Sequence, residues 1–95
     1  MFVMMELKVV KTGLKINLSP HQYSFHLKHA SIGCPTFILV QYYPPESSGD
    51  KPVLKLYRGA QALFLFNEGV RVPPIAEWPV RAVDWSEMRA LLADG

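Results

Sequence analysis

Imidazole and thiol groups gather in one part of the chain, at His21, His26, His29 and Cys34. Those are the ligand types zinc prefers, but structural zinc wants four of them at recognisable spacing. On a strand His26 and His29 point to opposite faces, and on a helix they share one face while a fourth ligand is still missing. The expectation is therefore no metal, with the histidines facing solvent. Cys34 beside a histidine could be a nucleophile with its base. Its setting, Gly33-Cys34-Pro35, carries no nucleophile signature, and a lone cysteine is most often a small buried hydrophobe. The carboxylates Glu46, Asp50, Glu68, Glu77, Asp84, Glu87 and Asp94 fall in expected turns, a linker or helix ends, their ordinary solvated or capping positions. Gly59 and Gly69 follow no phosphate-cradle pattern. The residues thus point to no catalytic set, no cofactor and a non-enzymatic protein.

Aromatic residues interleaved with basic ones carry a different chemistry. Tyr23, Phe25, Tyr42, Tyr43 and Tyr57 lie on or beside expected strands, close in sequence to Lys28, Lys55 and Arg58. Barrel-type single-strand binders stack bases on sheet-borne aromatics beside a basic groove. On that reading Lys15, Lys28, Lys55, Arg58 and Tyr57 form a nucleic-acid surface. The competing reading is that the same aromatics fill a small β core. Tyr42-Tyr43-Pro44-Pro45 and Trp78 suit a protein interface better, because Tyr and Trp offer large contact area with a polar tip. Tyr42, Tyr43 and Trp78 are the expected partner-binding residues, and Trp85 is expected in the core.

The elements that would position these groups read mainly as strands. Residues 3–11 alternate, with Met5, Leu7 and Val9 on one face and Glu6 and Lys8 on the other. Thr12-Gly13 signals a turn or bulge, and Leu14, Ile16 and Leu18 alternate again. Ser19-Pro-His-Gln22 is ambiguous. It can be a turn leading to a strand carrying Tyr23, Phe25 and Leu27, or the capping box of a helix closed by Gly33. Phe25 fits the alternation and not the helical face, so the strand is preferred. Thr36–Tyr43 is apolar on both sides and should be a central strand, covered twice. It pairs antiparallel with 53–58 across a long loop. Ala60–Phe66 reads as a buried strand, Asn67-Glu-Gly69 as a hairpin turn, and Val70–Val72 as its return. Residues 73–83, rich in proline, should run extended as a linker. Asp84 caps a terminal helix over 84–93, with Glu87 three residues on and Trp85, Met88, Leu91 and Leu92 as its apolar stripe.

With 95 residues the chain is one domain over 1–95, strand-rich from 3 to 72. The fold expected is mainly β, α+β in class. It is a small antiparallel sheet or partly open β-barrel of five to seven strands with one C-terminal helix packed on it. Net charge is +2, low for a protein that grips phosphates mainly by electrostatics. The first half is mildly basic, through Lys8, Lys11, Lys15 and Lys28, and these lysines are expected to face outward and keep a sheet edge soluble. One cysteine allows no internal disulfide. Neither a signal peptide nor a membrane span is read, so a cytoplasmic protein is the default. Hydrophobic content of 49% leaves apolar surface for a partner or a second copy to cover. The function expected is protein binding, as a small accessory inhibitor or adaptor of the kind mobile elements encode, with self-association as one form. Single-strand nucleic-acid binding through an OB-like face is the alternative.

Overall fold

The structure, a computed structural model, describes residues 4–11 and 13–94. Of the expected elements, Val3 and the Thr12 half of the turn lie outside the described residues. The chain runs β1 (Met4–Val10), α1 (Pro20–Ser31), β2 (Thr36–Tyr42), β3 (Val53–Arg58), α2 (Ala62–Glu68), β4 (Ala76–Pro79) and α3 (Trp85–Asp94). Among the described residues the four strands form one mixed sheet in the order β1-β2-β3-β4. The first pair is parallel, Met4 opposite Thr36 and Val10 opposite Tyr42. The other two pairs are antiparallel. The class is α+β, but the sheet has fewer strands than expected and does not close into a barrel.

The largest correction is α1. Ser19 accepts the Gln22 N–H, and the Gln22 side chain accepts the Ser19 N–H, so both halves of a capping box form, with Pro20 at the first helical position. A parallel β1–β2 pair also demands a long crossover, and a helix is the usual one. Phe25, which argued for a strand, is accommodated half-buried by lying against His29 with ring centroids 4.0 Å apart.

The second correction is residues 60–72. They fold as a 3-10 turn, the short helix α2 and another 3-10 turn over Gly69–Arg71, not as a hairpin. Only Ala62 and Leu65 of α2 face the core, at helical spacing, while Leu63, Phe64 and Phe66 are exposed. Gly69 ends α2 at φ 64°, and a Cβ there would run into the Leu14 carbonyl. Residues 14–18 form no ladder, yet Ile16 and Leu18 are buried. Part of the expected linker is β4.

The expectation for 36–43 holds, since β2 is covered on both faces. On one side Ile38 and Val40 join Val10, Tyr57, Leu65 and their neighbours in the core under α1 and α2. On the other, Phe37 and Leu39 join Leu54, Leu56, Trp78 and Met88 beneath α3. Trp78 is 5% exposed and Trp85 60%, the reverse of their expected roles. Trp78 points inward from β4 and donates its Nε1–H to Glu87 Oε1 at 2.8 Å. Among the described residues no helix is long and apolar enough to cross a membrane.

Candidate functional site at the open edge of the sheet

Among the described residues β1 pairs with β2 alone and forms an edge of the sheet. The register aligns Met5, Leu7 and Val9 with Phe37, Leu39 and Gln41, on the α3 face. Glu6, Lys8 and Val10 align with Ile38, Val40 and Tyr42, on the α1 face. The core beneath α3 takes Phe37 and Leu39 of β2, Leu54 and Leu56 of β3 and Trp78 of β4, and includes no described residue of β1. As a result Met5, Leu7 and Val9 are 42%, 60% and 49% exposed. The expected orientation is inverted: the apolar row meets solvent, and the charged residues turn toward α1.

The charged row is tied down there. Gln22 and His26 stand four residues apart on α1 and share one face. Lys8 Nζ donates to Gln22 Oε1 at 3.0 Å and lies 2.9 Å from Glu6 Oε2. The other carboxylate oxygen of Glu6 is 2.9 Å from His26 Nε2. A carboxylate only accepts, so Nε2 carries the proton, and in the neutral ring Nδ1 accepts from the Thr36 hydroxyl at 2.7 Å. Burial by itself would raise the Glu6 pKa, but hydrogen bonds from Lys8 and His26, with the charge of Lys8 and that of the His26 ring in its protonated form, outweigh it and hold the carboxyl below its usual 4.5.

Hydroxyl, imidazole and carboxylate in series resemble a nucleophile with its base and orienting acid. Thr36 and His26 are both buried, and Gly59 lies so close over Thr36 that a Cβ there would collide with the hydroxyl. The series ties α1 to the sheet. Beside it a shallow cleft of about 320 Å³ is lined by Cys34, Thr36, Arg58 and Gly59, with Cys34 exposed, not buried as expected.

Of the residues singled out from sequence, the structure brings together Lys55 and Tyr42, with Lys55 Nζ 5.7 Å from the centre of the Tyr42 ring, but gathers no joint surface from the rest. Tyr57 is buried, donating its hydroxyl to the Val72 carbonyl at 2.8 Å. Lys55 pairs with Glu77 at 2.7 Å, Lys28 is exposed on α1, Lys15 lies in the loop after β1, and Arg58 lines the cleft. Tyr42 and Tyr43 are half-buried at the end of β2, and the Tyr43 hydroxyl accepts from Gln41. Tyr42 packs on the α1 face, whereas Trp78 belongs to the core on the opposite face. Of the three histidines, only His21 is exposed; His29 is half-buried and bonds the Phe25 carbonyl. No protein family matches the chain, nor does any curated protein or solved structure. The residues that the structure brings together are Met5, Leu7 and Val9 on one face of β1, and Glu6, Lys8, Gln22, His26 and Thr36 on the other. The available signal was the capping box at 19–22, since a helix there puts Gln22 and His26 on one face.

Proposed function

We propose that the chain is a non-enzymatic binding module that holds a protein partner along the open edge and apolar row of β1. One observation carries this reading. A seven-residue edge strand presents three large apolar side chains to solvent on its α3 face, while its charged residues are turned toward α1. Proteins ordinarily protect such edges with outward charges, bulges or short strands, because an unprotected edge pairs with another strand. Strand addition uses that property for recognition: backbone bonds hold the partner and alternate side chains select it. The test is affinity capture from the native host's lysate after nuclease treatment, using the wild-type chain and Leu7→Lys. A protein retained by the first and lost by the second is expected. The same proteins captured by both would rule out β1 as the contact.

A second reading, action on a phosphodiester backbone, is favoured by the Glu6–Lys8 pair. Its carboxylate and ammonium lie side by side on an open-edged strand, with side chains 25% and 17% exposed. Mg²⁺ takes one or two carboxylates from a protein when phosphate oxygens complete its shell. A neighbouring ammonium can stabilise the charge that develops on the phosphate. Among the described residues no three protein ligands gather around a metal position, so a further carboxylate has to come from whatever lies on β1. On this second reading, Mg²⁺-dependent cleavage of labelled oligonucleotides is expected, abolished in Glu6→Gln and Lys8→Ala. No cleavage of single- or double-stranded substrate by the partner-bound chain would remove this reading.

A further inference from the structure

We infer that the strand received by β1 is β1 of a second copy, laid antiparallel about a two-fold axis at Leu7. The inference rests on the docking reading above and names its partner.

The backbone is oriented for it. The Val10 carbonyl accepts from Tyr43 N–H, so Val10 turns its polar groups toward β2. In a parallel ladder alternate residues do this, which assigns Glu6 and Lys8 to β2 as well and turns the N–H and C=O groups of Met5, Leu7 and Val9 outward. Those outward groups would form the new ladder, with Leu7 facing Leu7 of the other copy as a hydrogen-bonded pair.

The side chains select the register. Centred on Leu7, the strand Met4-Met-Glu-Leu-Lys-Val-Val10 complements itself: Glu6 falls opposite Lys8 of the other copy, Met5 opposite Val9, and Met4 opposite Val10. The Glu6–Lys8 positions are non-hydrogen-bonded pairs, where side chains approach most closely, so opposite charges there count most. Sliding the strands by two residues either way sets Glu6 against Glu6 or Lys8 against Lys8, which like-charge repulsion disfavours. On the α3 face the two exposed rows merge into one apolar strip. Each copy also supplies a lysine and a glutamate to the other's polar cluster. An interface of this extent is at the small end for specific complexes, so dissociation in about the micromolar range is expected.

The test uses the full chain. Sedimentation equilibrium over roughly 1–200 µM should show a monomer–dimer equilibrium. Leu7→Lys, at a site exposed in the monomer, should weaken it at least tenfold by placing like charges at the axis. Register is read by oxidation in a Cys34→Ser background. A hydrogen-bonded antiparallel pair has Cα atoms about 5.5 Å apart, within disulfide range, so Leu7→Cys should cross-link. Val9→Cys, which faces Met5, should cross-link at least tenfold less. Equal yields, or none from Leu7→Cys, would overturn the register. A chain that stays monomeric at the highest concentration yet captures another protein through β1 would overturn self-pairing and leave the docking reading intact. Monomer with no capture would remove both.

Discussion

His26 is the side chain on which most of the polar structure converges. It is buried, holds Thr36 with one nitrogen and Glu6 with the other, and so joins α1 to both β1 and β2. His26→Ala leaves the Thr36 hydroxyl unpaired and opens a cavity, and should cost about 3 kcal/mol in urea unfolding. Glu6 makes the same tie sensitive to acid. Its folded pKa lies below 4.5, so its contribution is present above that value and is lost as pH falls through the folded value. The urea midpoint should decline below about pH 4.5, and Glu6→Gln should flatten that decline. Tyr57 acts at the alkaline end. Burial, and then the charge of Glu77, push its phenol up to about 12. Raised above the ordinary 10, it contributes stability that is complete below pH 10 and disappears as pH climbs toward 12. Tyr57→Phe should cost about 1 kcal/mol at neutral pH through the lost bond to Val72, and should weaken the alkaline dependence.

The elements differ in how much their ends decide. α1 is started by its box and by Pro20, so Ser19→Ala should cost about 1 kcal/mol. α3 begins where Asp84 Oδ1 accepts the Glu87 N–H at 3.0 Å. It packs by Met88, Leu91 and Leu92 and leaves Trp85 outside. The two tryptophans therefore report different things. Acrylamide should quench Trp85 strongly and Trp78 weakly. Trp85→Phe should remove the quenchable emission with little effect on stability, whereas Trp78→Phe should destabilise by removing a core ring and its bond to Glu87. Equal quenching of both would contradict the placement of α3.

For the whole molecule, the decisive fact is unequal cover. Two helices and the segment 14–18 close one face of the sheet, while the single helix α3 closes only part of the other. The uncovered part is the β1 row, at the same edge where backbone groups lack a strand. If pairing at that edge is the natural state, thermal stability depends on protein concentration by mass action. The unfolding midpoint of the wild-type chain should rise with concentration, and that of Leu7→Lys should not. A midpoint independent of concentration in both would count against pairing of two copies at that edge.

Local signals settled some parts of this protein in advance. Alternation marked β1, the doubly apolar run marked β2 as central and its hairpin with β3, and Asp84 with Glu87 marked the start of α3. These depend on period and on capping within a few residues. The same local rules misread 19–33, because Phe25 fits a strand on paper and only contact with His29 shows how a helix carries it. They misread 60–66, where an apolar run has no period to separate a short helix from a strand. Most of all, alternation showed that β1 has two unlike faces but not which one faces inward. That depended on the partners α1 brings: Gln22 and His26 satisfy Lys8 and Glu6, so the charged face could turn in and the apolar face was left in water. Which face of a strand is buried is a property of what packs against it, and that is fixed only when the chain is folded.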